Sequence, residues 1–379
     1  MSDPMIYLDN NATTPLMHPV RERMEECWQT AFANPGSQHA FGRAARLVLE
    51  DSRETIATIL DADPSELIFT SGGTEAINTA VAGFTAGRPG LIAMTDGEHP
   101  ATVQSSRRSE MRGYGRVSIP VDSNGRIRES ELAQLPWSQI RLVCVILAHN
   151  ETGVVQNVET LSALCQQHGI PLLLDAVQAA GKIPVSFRTL HATALAFGAH
   201  KFHGPRGVGG LLLRRGSLIA PLLDGGHQEG GRRAGTEPVP LIAGMAKALQ
   251  DWHAEFSERT QQVRELRDLL QNSLVTSCRP VVIHGVEADR LPNTLSIAFP
   301  GLSGEALLVN LHLEGVACSL GSTCASGSAE PAPALVAMGI DPDICLASVR
   351  FSLSILNTRQ EIEDAGQRIA KVVHRMRHA

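Results

Sequence analysis

Between residues 67 and 213 short apolar runs alternate with helix-period segments, and this alternation limits the fold more than any other feature of the chain. Residues 67–69, 91–94, 141–148, 170–175, 193–197 and 207–213 are short, apolar and bounded by polar residues, Gly or Pro, the pattern of buried strands. Residues 74–86 and 158–168 carry a helical pattern between them. Strands joined through helices predict an α/β fold: a mostly parallel sheet covered on both faces. The pattern changes at a glycine-rich loop, residues 225–235 (GGHQEGGRRAG). Residues 239–270 then read as one long, mostly polar helix bridging two domains. Strands at 293–299 and 349–353 and helices at 304–314 and 359–377 form a smaller unit. The boundary falls at residues 250–260.

Composition removes several function classes. With 33 basic and 39 acidic residues the 379-residue chain has a formal charge of −6, which argues against nucleic acid as partner, as does 4% aromatic content. No apolar run approaches the about 18–20 residues of a membrane helix. The start, MSDPMIYLDNNATTP, has no secretory pattern. Seven scattered cysteines without a CxxC argue against a disulfide framework or a zinc site, and the reading is a cytoplasmic protein without a metal. Lysine is rare: Lys182, Lys201, Lys247 and Lys371 are the four. Amine chemistry therefore has few candidates.

Lys201, in FGAHKFHGP, ends an apolar strand ahead of a Gly-Pro turn. A lysine desolvated in a strand-end cleft has a lowered pKa and serves as a Schiff-base nucleophile. A salt-bridged structural lysine is the alternative. Lys247 and Lys371 lie on polar helical stretches, and Lys182, after a glycine, reads as a loop residue. Asp175, in LLLDAVQ, closes a strand where open α/β sheets bind ligands, with Gln178 three residues on. An acid there either partners the ring nitrogen of pyridoxal phosphate or caps the next helix. FTSGGTE (residues 69–75) reads as a strand–turn–helix anion site, with hydroxyls from Ser71 and Thr74 and no Walker lysine. His99, in GEHP, suits stacking on a flat ring and moving protons, or a structural role. Cys324, in GSTCASGS, has the small polar neighbours of an exposed reactive thiol on a mobile loop, or of an inert one. Cys144, in RLVCVILA, reads as buried, and Cys318, in GVACSLG, as a strand thiol. Arg350, in ASVRFSLS, faces either a substrate carboxylate or an internal ion pair.

Taken in order, YLDNNATTP, FTSGGTEAIN, GEHPA, HNETGVVQ, DAVQAAGK, AHKFHGPRGVGG, RRAGTEP, GSTCASGS and SVRFSL resemble the cysteine desulfurases of the NifS/IscS type, class V aminotransferase relatives, over residues 6–355. The resemblance implies fold type I of the pyridoxal-phosphate-dependent transferases. That fold has a large domain (15–255) with a mostly parallel seven-stranded sheet. A smaller α+β domain (1–14 and 256–379) carries the cysteine loop. It implies a homodimer that uses pyridoxal 5'-phosphate to take sulfur from L-cysteine, leaving L-alanine and a persulfide for an unidentified acceptor protein in iron–sulfur or other thio-cofactor synthesis. By motif, Lys201 is the Schiff-base lysine, Asp175 the ring-nitrogen partner, and His99 stacks on the ring. Gln178 contacts the phenolic oxygen, and Gly73, Thr74 and His200 hold the phosphate. Thr236 reaches the phosphate of the neighbouring subunit, Asn150 and Arg350 hold the substrate carboxylate, and Cys324 accepts the sulfur.

Three features depart from the family pattern. Gly198 stands where most relatives place a serine hydroxyl on the phosphate, and Gly230 where arginine is usual. The chain ends at Ala379, without the extension that docks a scaffold protein in IscS-type enzymes, so delivery to that partner is not assumed. The competing readings are a selenocysteine lyase or another class V enzyme, and a non-catalytic sulfur carrier on a degenerate fold.

Overall fold

A computed structural model describes residues 4–320 and 330–378. After a two-residue strand, β1 (Ile6–Tyr7), the chain builds a seven-stranded sheet. Its members are β2 (Leu67–Thr70), β3 (Leu91–Met94), β4 (Gly115–Ser118), β5 (Ile140–Ile146), β6 (Leu172–Asp175), β7 (Ala194–Gly198) and β8 (Gly209–Leu213). Their order is β2-β8-β7-β6-β5-β3-β4, with β8 alone running against its neighbours. Strands β2, β6, β7 and β8 are buried along their whole length, as a sheet covered on both faces requires. The two-residue pleat deals successive side chains to two cores. Leu67, Phe69, Leu172, Leu174, Leu195 and Phe197 join one with Leu49, Ile56, Ile242 and Leu249. Ile68, Leu173, Ala194 and Ala196 join the other, against Ile77 and Ala80 of the helix Gly73–Phe84.

Two expectations are corrected. Strand β4 was not foreseen, because this edge strand alternates half-buried and exposed residues and contains no apolar run. The long helix is two, Val239–Ala254 and Phe256–Ser277, parted at Glu255. The first is not mostly polar: Val239, Ile242, Met245, Leu249 and Trp252 enter the large-sheet core. The second packs its Leu266, Leu270 and Leu274 with Ile362, Ile369 and Val373 of the helix Arg359–Arg377 in a separate core.

That core belongs to β9 (Val282–Ile283), β10 (Thr294–Ala298), β11 (Val316–Ala317), β12 (Ser319–Leu320) and β13 (Ser348–Ser352). The antiparallel order is β12-β13-β10-β9, while β1 pairs in parallel with β11 and sends Ile6 and Leu8 into the same core. The chain just after Leu8 therefore passes from the smaller core toward the large sheet. Strands β2, β3, β5, β6 and β7 all point their carboxyl ends to one edge, where open α/β sheets bind ligands. No helix among the described residues is long and apolar enough to cross a membrane.

Candidate active site

Strand β7 ends at Gly198, and a single 3-10 turn, Ala199–Lys201, carries Lys201 into the cleft at that edge. Its Nζ donates to the carbonyls of Asn11 (2.6 Å) and Ala12 (2.8 Å), not to a carboxylate. Burial, and then the Arg350 guanidinium, bring its pKa down to about 8, with Asp175 pulling the other way. A structural ion pair is thus not what holds this lysine.

Asp175 ends β6 and is buried, which raises its pKa to about 6; the N–H of Val177 on its Oδ1 (2.9 Å) works against the shift. That bond closes a turn and does not cap a helix, since none follows β6 before β7, so the alternative of a helix cap is not met; it leaves the second carboxylate oxygen for another partner. Gln178 is buried beside it and donates from Nε2 to the Asn11 carbonyl at 2.8 Å. His99 caps the helix Pro100–Glu110, its Nδ1 accepting from Ala101 N at 3.1 Å, so the neutral ring carries its proton on Nε2. Burial, and then Lys201, lower its pKa. The turn bearing His99 is fastened by Glu98, a residue the sequence reading missed. Its Oε1 accepts from Thr95 Oγ1 (2.7 Å) and Ile146 N (3.0 Å), and burial lifts its pKa to about 8.

At the end of β2 the helix Gly73–Phe84 opens its first-turn N–H groups beside exposed Ser71 and Thr74. Arg233 pairs with Glu75 of that turn at 2.8 Å and offsets an acid that would repel an anion. His200 places Nδ1 3.2 Å from Thr13 Oγ1, and burial, then Lys201, depress its pKa to about 4. Gly198 has ordinary extended backbone (φ −142°, ψ 132°), and a Cβ there would lie 3.3 Å from Gly73 N. Glycine is not needed for that conformation. Gly230 differs, with φ +67°, in the left-handed region where an arginine would be strained. Its loop is pinned by buried Glu229, which takes Arg53 at 2.8 and 3.0 Å and Phe69 N at 3.0 Å. Thr236 is exposed at the end of this loop.

Arg350 lies in β13, buried, and makes the internal ion pair foreseen as one of its two alternatives. Nη2 donates to Asp9 Oδ1 (2.8 Å) and Nη1 to Asn150 O (3.0 Å), while its buried Nε has no partner among the described residues. The Asn150 side chain donates to Glu151 Oε1 at 2.8 Å. Neither Asp9 nor Asn11 was given a role from sequence. Asn11 is a buried hub: besides Lys201 and Gln178 it bonds Asn150 O, Thr294 Oγ1, Asn293 Nδ2 and Ser352 Oγ. Partners up to 341 positions away give no local signal.

Lys182 sits on a loop, as the sequence suggests, and its burial is what the sequence left unread. Its Nζ donates to Asn11 Oδ1 at 2.8 Å and to Gln178 Oε1. Its spacing of four from Gln178 was the available clue. Cys324 lies outside the described residues. The six other cysteines are free thiols; Cys318 is half-buried between β11 and β12 and the rest are buried.

Comparisons with known proteins give the family and the fold. The family model for class V aminotransferases matches residues 6–364. A cysteine desulfurase from Nostoc sp. is 38% identical over 375 residues, covering 98% of this chain and 94% of its own. A solved NifS-like protein superposes with a TM-score of 0.91 at 35% identity, over 98% of this chain and 99% of that one. A structure described as SspA in complex with cysteine gives a TM-score of 0.82 at 26% identity, over 93% and 99%.

Proposed function

The chain belongs to the class V aminotransferase family and, within it, to the cysteine desulfurases, and from that premise we propose which of its residues carry the reaction. The observation that supports the assignment best is the presence, at one sheet edge, of a half-buried amine with a pKa of about 8 and a buried strand-end carboxylate.

These residues fit pyridoxal 5'-phosphate. The first turn of the helix Gly73–Phe84 with Thr74 and His200 would hold the phosphate, His99 would lie on the ring, and Asp175 would pair with its nitrogen. Thr236 of a second copy would complete the phosphate site in a homodimer. Exposed Trp28, Phe32 and Phe41, the last two with rings 5.5 Å apart, are aromatic surface of the kind a dimer buries. Bound there, the cofactor supplies an aldehyde for amines and a ring that accepts an electron pair from the substrate's carbons. Lys201 supplies the amine that holds the aldehyde and, once displaced by substrate, a base for the Cα proton. Arg350, with Nε unpartnered, takes the carboxylate of L-cysteine beside Asn150. Asp9 keeps that guanidinium in place. The thiol of Cys324 attacks the substrate's sulfur and the C–S bond breaks, its electron pair staying on carbon. L-cysteine and a thiol become L-alanine and a persulfide, with no external oxidant or reductant. The persulfide then passes to an acceptor protein, and the setting is cytoplasmic. Purified protein loaded with pyridoxal phosphate and given L-cysteine with a thiol reductant releases alanine and sulfide in equal amounts. Release of ammonia and pyruvate, or no alanine, overturns the reading.

The lysine's shifted pKa sets a pH dependence. Only the free amine attacks the aldehyde, and a pKa lowered from 10.5 to about 8 frees it at lower pH. Capture of the cofactor by apoprotein, followed by absorbance, therefore speeds up with pH to about 8 and levels off above it. A rate still climbing between pH 9 and 10 would contradict the assigned environment.

Gly198 gives a further expectation. A serine there needs no unusual backbone and sets its hydroxyl beside the helix N-terminus, at the cost of a shift of a few tenths of an ångström from Gly73 N. A charge-assisted hydrogen bond contributes about 1.5–3 kcal/mol, so Gly198→Ser lowers the cofactor's Kd by about tenfold or more. Equal or weaker binding by the serine variant means that the existing donors already satisfy the phosphate.

A further inference from the structure

Lys182 is buried against two side-chain amide oxygens, Asn11 Oδ1 at 2.8 Å and Gln178 Oε1, and no carboxylate within ion-pair distance accompanies it among the described residues. A buried lysine without a counter-ion opposes folding, and an apolar side chain of the same length would serve the core better. Its position next to the residues assigned to the cofactor therefore calls for a reason other than stability.

We propose that Lys182 is a positioning residue: it locks the side-chain amide of Gln178 with the nitrogen edge available to the cofactor's phenolic oxygen, and ties that amide to Asn11, on which Lys201 also rests. The proposal rests on the reading that Gln178 contacts this oxygen.

An amide can point either way, and its two ends differ chemically: the oxygen only accepts and the nitrogen only donates. Here both ends are specified. The Asn11 carbonyl receives Nε2 at 2.8 Å, and Lys182 Nζ supplies the donor for Oε1. A flipped amide would face oxygen to oxygen at the Asn11 carbonyl and would deprive the Lys182 amine of its second acceptor. In the orientation observed, Nε2 uses one N–H on Asn11 and keeps a second for an acceptor such as a phenolate. Burial, with Lys201 and Arg350 adding to it, holds the Lys182 pKa well below that of a free lysine. An uncharged amine still has the two N–H groups that its two acceptors need. Removing Lys182 leaves Gln178 Oε1 buried without a donor, whereas Asn11 Oδ1 keeps Asn293 Nδ2 at 3.0 Å. The loss therefore falls on Gln178.

The test uses the full-length protein, apo and loaded with pyridoxal phosphate. Lys182→Met keeps the length of the stem and removes both donors. Expected are a melting temperature of the apoprotein unchanged or raised, a cofactor Kd weakened about tenfold, and a displaced visible band in the loaded protein. Lys182→Gln, with a donor on a shorter stem, falls between Met and wild type and is read in parallel, so the outcome does not hang on one variant's folding. Gln178→Leu shows the same weakening and band shift, and the double variant binds no more weakly than Gln178→Leu alone. If Gln178→Leu has these effects and both Lys182 variants bind and absorb as wild type, Lys182 is not a positioning residue although Gln178 keeps its role. If the losses add in the double variant, Lys182 acts apart from Gln178 and the proposal falls. If Gln178→Leu changes nothing, the assignment of Gln178 falls and takes this proposal with it.

Discussion

Lys201→Ala ends turnover and removes the visible band of the lysine-bound cofactor while the fold survives. The side chain is not part of any hydrophobic core, and its Nζ donates to two backbone carbonyls. The Asn11 carbonyl keeps Gln178 Nε2 when the lysine is gone, so no buried acceptor is orphaned there. The catalytic loss is large because two functions leave together. The amine that holds the aldehyde is gone, and so is the base for the Cα proton, a contribution of about 10²–10⁴-fold by itself. No other lysine replaces it. Lys247 is engaged by Asp251 at 2.7 Å, Lys371 by Glu314, and Lys182 by Asn11 and Gln178. Alanine substitutions at Lys247 and Lys371 keep the band, and so does one at Lys182, with the shifted position argued above. The spectrum of each reconstituted variant and its alanine release from L-cysteine check this. A Lys201→Ala enzyme that turns over cysteine at the normal rate would overturn the assignment.

What the sequence makes legible is whatever burial writes locally. Leu172–Asp175 and Ala194–Gly198 stand out because both faces of the strand are covered, so every position but Asp175 is apolar or small. The chemistry at their ends is legible for the same reason: Asp175 and Lys201 interrupt apolar runs, where a charged residue needs a purpose. Gly115–Ser118 shows the converse, since an edge strand with one apolar residue leaves no pattern to read. The break at Glu255 is equally silent. No Pro or Gly marks it, and it follows from the two helices packing on different cores, the first with Leu49 and Ile56, the second with Ile362 and Ile369. The network under the site is the least legible part. Asp9 and Asn11 sit in a segment with an obvious motif, yet their partners Asn150, Thr294, Arg350 and Ser352 are set by the fold. A buried polar residue whose hydrogen bonds are all long-range has no periodicity to betray it.

Cys324→Ser keeps the cofactor and its L-cysteine complex and loses persulfide formation altogether. The argument runs through the other thiols. Sulfur transfer needs a thiolate, and the more a thiol is buried in apolar surroundings, the higher its pKa and the smaller its thiolate fraction. Burial raises Cys27, Cys278 and Cys345, raises Cys144 well above the ordinary range, and pushes Cys165 and Cys318 up to about 12. Cys318, nearest to Cys324 in sequence, is held between two short strands, with Asp9 adding to its shift. None of the six is suited to attack a substrate's sulfur near neutral pH. The remaining cysteine, Cys324, stands in the sequence among Gly, Ser, Thr and Ala, unlike the apolar neighbours of Cys144. A serine hydroxyl in its place ionises far less readily and makes no stable bond to sulfur, so the variant stops after substrate binding. Mass spectrometry of the wild type after a brief exposure to L-cysteine finds one added sulfur on the peptide bearing Cys324, and none on that peptide in the serine variant. Cys318→Ser turns over like the wild type. An added sulfur found mainly on Cys318, or a Cys324→Ser protein that still forms a persulfide, would show that the acceptor thiol has been misassigned.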